Sequence, residues 1–154
     1  MSQLDEQIEV AFPLVAFITN RHLMNHLHRI STHLQMDLDT TYIWGTLAHL
    51  NLAPAFGGVK HISEIYNPDG TINASLKPVS LSNLSQVTGF PRETVRRKLE
   101  YLKSLQRANR QENGDWIIEE NSVTPDIFEF TKETVNLLLE TANQVQKVLA
   151  AHQK

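Results

Sequence analysis

The chain has 154 residues, 41% of them apolar, and a formal charge of −3. That length and composition suit one folded domain with a sizeable core. The absence of cysteine excludes disulfides, thiolate catalysis and cysteine-bound zinc. The longest apolar stretch, near Val10 to Ile18, contains Pro13 and is too short to span a bilayer.

The N-terminus is acidic (Asp5, Glu6, Glu9) and shows no signal-peptide pattern, so a cytoplasmic location is expected. Pro13 suits a first helical position, and the spacing of Leu14, Phe17, Ile18, Met24, Leu27 and Leu34 predicts a helix from 13 to about 35. Asp37 and Asp39 break that pattern. Asp39 or Thr40 is expected to cap a second helix to about Leu52, ended by Pro54 and Gly57-Gly58. Residues 55–78 are less regular: a short helix near Ile62, Ile65 and Tyr66, a turn at Asn67-Pro68-Asp69-Gly70, then an extended Lys77-Pro78-Val79.

Ser80 is expected to cap a helix through Thr88, with Leu84 and Val87 facing the next one. Gly89 stops it, and Arg92 to Ser104 forms that next helix on a core row of Val95, Leu99 and Leu102. A hairpin follows, with arms Arg107 to Gln111 and Trp116 to Glu119. Its tip holds Asn113-Gly114, a pair that tolerates positive φ at both positions. Thr124-Pro125-Asp126 starts a last helix to about His152. Phe128, Thr131, Val135, Leu138, Ala142, Val145 and Leu149 alternate three and four apart on it, a 3.5-residue seam as in paired helices. That seam meets either a second chain or the first helix of the same chain, and dimerisation is the expectation.

Charge is unevenly placed. From Arg92 to Arg110 there are seven basic and two acidic residues, a balance of +5; the rest of the chain, with seven basic and fifteen acidic, is −8. A basic element on an acidic body is either a solvated helix face or a surface for a polyanion. The helix from Arg92 meets the needs of a major-groove reader. Arginine grips guanine bidentately, a carboxylate accepts from cytosine, and other cations hold phosphate. The DNA-contacting residues expected are Arg92, Glu93, Thr94, Arg96, Arg97 and Lys98 on the helix, with Arg107 and Arg110 on the hairpin arm.

The run Arg92-Glu93-Thr94-Val95-x-Arg97 resembles the recognition helix of Crp/FNR-type regulators. The resemblance implies base or phosphate contacts for Arg92, Glu93 and Arg97. Arg96 and Lys98 replace the small and aliphatic residues usual there. The order of elements from 13 to 150 resembles MarR-like winged-helix regulators. It implies a mainly α fold with a small β-hairpin wing: N-terminal helices over 13–52, a winged helix-turn-helix over 78–120 and a C-terminal dimerisation helix over 124–152. The function implied is that of a dimeric regulator of transcription that binds double-stranded DNA, with its small-molecule effector unspecified. The alternative is a winged-helix module that binds protein and does not read DNA.

Other chemistries find less support. His22 and His26 share a helix face, with His33 and Asp37 beyond, which is either a metal pair or ordinary surface histidine; no metal or other cofactor is expected. Tyr42, Trp44, Phe56 and Tyr66 either line a small-ligand pocket or fill the core. No convergent nucleophile, acid and base set marks an enzyme.

Overall fold

The computed structural model describes residues 2–57, 61–69, 71–121 and 123–151, and it is mainly helical with one small two-stranded antiparallel sheet. The chain divides into two compact units. One comprises Met1–Gln35 with Pro125–Lys154, and the other Met36–Thr124. No helix among the described residues is long and apolar enough to cross a membrane. The expected features at Gly58, Gly70 and His152 lie outside the described residues.

The first unit pairs α1 (Gln3–His33) with α5 (Pro125–Ala151). α1 starts ten residues before Pro13, which lies inside the helix. The decisive signal is Ser2-x-x-Asp5. The Ser2 hydroxyl accepts from the Asp5 N–H at 3.2 Å, and the Asp5 carboxylate accepts from the Ser2 N–H at 2.8 Å. This reciprocal cap satisfies two end donors at once. The helices run antiparallel, since His22 meets Thr141 and Arg29 meets Thr134.

The row of α5 turned toward α1 is half-buried: Ile127, Phe130, Thr134, Leu137, Thr141, Gln144 and Val148. The 3.5-residue seam lies one position further on, about 100° around the helix. Most of that seam is exposed, with Phe128 at 58% and Leu138 at 54%. α5 therefore does fold back on the first helix, but on a different row.

The second unit begins with α2 (Leu38–Phe56). Its N-cap is Asp37, two or three residues before the expected Asp39 or Thr40; its carboxylate accepts from the Thr40 N–H at 2.8 Å and from the Thr40 hydroxyl at 2.9 Å. A 3-10 turn (Ile62–Glu64) follows, and a Tyr66–Ile72 bridge closes the Pro68-Asp69 turn. Val79 and Trp116 exchange N–H···O bonds of 3.0 and 2.8 Å. This bridge lays the extended segment beside the sheet, which the sequence reading missed.

Ser80 caps α3 (Leu81–Thr88), and α4 (Arg92–Ser104) follows. Gly89 links them at φ 75° and donates its N–H to the Ser85 carbonyl at 3.0 Å. A Cβ at Gly89 would touch nothing within 4 Å. Gly89→Ala should thus cost only left-handed backbone strain, about 1 kcal/mol, seen as an earlier urea midpoint with unchanged slope. Leu84 is fully buried, but Val87 is 49% exposed, at the edge of the inward row Leu81, Leu84, Ser85 and Thr88.

The hairpin pairs β1 (Ala108–Arg110) with β2 (Trp116–Ile118) in the register Ala108–Ile118, Asn109–Ile117 and Arg110–Trp116. Gly114 alone in the tip has positive φ, at 90°. Its N–H donates to Gln111, and the Gln111 N–H donates to Asp115, leaving three residues in the loop. That loop length needs one left-handed glycine, not positive φ at both Asn113 and Gly114. Trp116, at 2% exposure, anchors the hairpin in a core with Ile43, Leu47, Leu84, Val95, Leu99 and Leu102.

Candidate nucleic-acid interface

α4 carries its core row, Val95, Leu99 and Leu102, on one side, and all three are fully buried. The turn before it is latched twice. The Ser85 hydroxyl donates to the Phe90 carbonyl at 2.7 Å, and the half-buried Phe90 ring meets the Tyr42 ring edge-on at 6.2 Å. The opposite side of α4 is left to water, with Arg92, Glu93, Arg96, Arg97 and Glu100 all exposed. Pro91 at its N-cap provides no side-chain cap to the first turn.

The eight expected contact residues fall into distinct situations. Arg92 and Arg97 are exposed and carry no ion pair or side-chain hydrogen bond among the described residues. Arg96 is committed within the helix: its Nε and Nη2 donate to the two Glu93 carboxylate oxygens at 2.8 and 2.6 Å. These hydrogen bonds hold the Glu93 carboxyl below its ordinary range, so it is ionised at neutral pH. Thr94 is half-buried at the edge of the exposed face.

Lys98 belongs to the inner side. Its Nζ donates to Asp37 Oδ2 at 2.6 Å, and its side chain is 16% exposed. Partial burial raises the Asp37 pKa. The Lys98 and Thr40 hydrogen bonds outweigh that effect and hold it at about 2. The ammonium therefore ties α4 to the start of α2. Helical periodicity explains this, since Lys98 precedes Leu99 and follows the core position Val95 by three residues.

Arg107 also turns inward. Its guanidinium lies 5.1 Å over the Trp44 ring, while the Trp44 Nε1–H donates to the Arg107 carbonyl at 3.2 Å. A guanidinium seated on an aromatic face gains packing and cation–π attraction within this unit. Arg110 is exposed at the tip end of β1, with its guanidinium beside Gly114 and next to the acidic tip residues Glu112 and Asp115. Of the eight, the exposed cations outside any ion pair among the described residues are thus Arg92 and Arg97 on α4 and Arg110 at the hairpin tip, with Arg96 carrying its own counter-ion.

Sequence reasoning missed Asn51. It is fully buried, donates to the Lys77 and Trp116 carbonyls at 2.7 and 3.3 Å, and accepts from the Ile118 N–H at 2.8 Å. One amide thereby fixes β2 and the segment before α3 to α2. The visible signal was an amide inside the apolar run Leu47, Leu50, Leu52.

The four aromatic residues do not gather. Tyr42 faces Phe90, Trp44 faces Arg107, Phe56 is 52% exposed and Tyr66 is half-buried. Two positions apart on a helix is 200°, so Tyr42 and Trp44 point to different sides. A shallow depression of about 380 Å3 beside Tyr42, Gly45, His49 and Val87 has an almost wholly apolar lining. No group of three or more metal-ligating side chains comes together among the described residues. No protein-family model, curated protein or solved structure matches the chain.

Proposed function

We propose that the protein is a DNA-binding regulator of the winged helix-turn-helix kind, acting as a homodimer. The observation that carries the reading is the outer face of α4, where Arg92 and Arg97 stand exposed and outside any ion pair among the described residues, on a helix held by the Gly89 turn. A helix of that width fits the major groove, and arginine is the residue that best grips guanine there. The Val79–Trp116 bridge supports the winged form, because it fixes the extended segment before α3 beside the hairpin. Arg110 then contacts backbone phosphate, and Glu93 either accepts from cytosine or stays paired with Arg96.

The dimer reading rests on the first unit. Val135, Leu138 and Ala142 each follow an α1-facing residue of α5 by one position, as Leu23 and Leu27 follow His22 and His26 on α1. In an antiparallel pair, positions so related share one side. That side carries exposed Leu23, Leu27, Val135 and Leu138. An apolar two-helix face of this kind fits a second copy as a four-helix bundle.

A second reading, a protein-binding module, draws on the Glu93–Arg96 pair and on the acids Glu112 and Asp115 at the hairpin tip. Anisotropy of a labelled duplex against salt separates the two. The DNA reading expects the logarithm of affinity to fall with the logarithm of salt at a slope of roughly −4 to −6, two or three phosphate contacts per protomer. Absence of binding at low salt sinks it.

A further inference from the structure

His22, His26, Arg29 and His33 occupy successive turns of α1 near or on the side that meets α5. Burial disfavours charge, so a row of basic groups at a helix interface is held only where each is compensated or neutral. Arg29 takes the compensation. It is 5% exposed, donates to Glu133 Oε2 at 2.8 Å, to Thr134 Oγ1 at 3.1 Å and to the Phe130 carbonyl at 3.0 Å, and sits 4.7 Å over the Phe130 ring.

His26 is left without any. Its ring stacks on His22 at 6.4 Å with planes 3° apart, and meets Phe130 at 5.8 Å. Its Nδ1 is buried with no hydrogen-bond partner. His22 is different, for its Nδ1 meets the Thr141 hydroxyl at 3.0 Å.

We propose that the α1–α5 pair is an acid-sensitive clasp, loosened when His26 takes up a proton. The added charge sits beside Arg29 and parallel to the His22 ring, with His33 further along the same helix. The carboxylates of α1 are Asp5, Glu6 and Glu9, more than four turns away. On α5, Asp126 stands in the first turn, Glu133 is held by Arg29, Glu129 lies 3.5 Å from Lys132, and Glu140 accepts from Gln144 at 3.3 Å. None of them is placed to neutralise His26.

The direction follows from linkage. Burial first, then the charges of Arg29 and His22, hold the folded His26 below its ordinary 6.5. The unfolded state therefore binds more protons in the window below 6.5. The contribution of His26 is complete above that value and is lost as pH falls through it toward the folded pKa.

The two tryptophans and three tyrosines all lie in the second unit, whereas α1 and α5 hold most of the helix. Melts of the full chain without DNA can thus follow the units separately. Between pH 7.5 and 5.5 the ellipticity midpoint should fall by about 5 °C or more, with the tryptophan-fluorescence midpoint moving less than half as far. His26→Phe, neutral and able to stack on Phe130, should remove most of that pH dependence. His28→Gln, at an exposed position of the same helix, should retain it. If His26→Phe does not fold, His26→Gln is read by the same criterion. The proposal is overturned if the parent shows no shift or if the His26 variant shifts as much as the parent. Any release of DNA by acid rests on the dimer reading above; the melts contain no DNA, so failure of one leaves the other standing.

Discussion

Replacing Arg92 and Arg97 together by alanine is expected to weaken binding to duplex DNA by roughly 100-fold or more at fixed low salt, while the melting midpoint stays put. Each arginine can contribute bidentate base recognition of about 1–3 kcal/mol or a phosphate contact. Both are exposed and touch no partner whose loss would destabilise the fold, and such surface changes stay within about 0.5 kcal/mol. The contrast with their neighbours makes the prediction sharp. Lys98→Ala should do the reverse, costing stability by releasing Asp37 with little direct change in affinity. Arg107→Ala should likewise act through lost packing on Trp44. Binding anisotropy and a thermal melt on the same four preparations check both halves.

Asn51→Leu should be the most damaging single change in the second unit. Leucine has a similar volume, yet it strands the Ile118 N–H and weakens the pairing of the Lys77 and Trp116 carbonyls in a fully buried place. Each buried polar group left unpaired costs about 1–3 kcal/mol, so the expected loss is about 3 kcal/mol or more. For a unit of this size that lowers the midpoint by more than about 10 °C. Tryptophan fluorescence reports it directly, because Trp116 is itself one of the partners. An unchanged midpoint would mean that β2 is held by its hairpin and apolar contacts alone.

Much of the α3–α4 region was legible because each of its signals is local. Ser80 capping α3, Gly89 in the left-handed region and the Val95, Leu99, Leu102 row all depend on neighbours within a turn or two. The α5 seam was legible as a pattern, but pattern alone did not say that α1 would pack one residue away from it. Long-range pairings were hidden: Val79 with Trp116, Asn51 with three backbone groups, Arg107 with Trp44. The fate of Lys98 shows the difficulty, since its position on a basic run suggested an outward cation. What decides it is Asp37, sixty-one residues earlier, whose carboxylate caps α2 and then receives the ammonium. The Arg96–Glu93 pair was simpler to foresee, for a carboxylate three residues before an arginine on a helix is an ion pair in waiting.

Selection of bound duplexes from a random pool tests the central proposal most directly, because it reports DNA recognition and two-fold geometry together. The account predicts enrichment of a pseudo-palindrome whose half-sites lie about one helical turn, roughly 10 base pairs, apart. It predicts guanine at the strongest positions, and loss of enrichment when Arg92 and Arg97 are replaced by alanine. A pool that emerges unenriched at low salt, or equally enriched by the double variant, contradicts it.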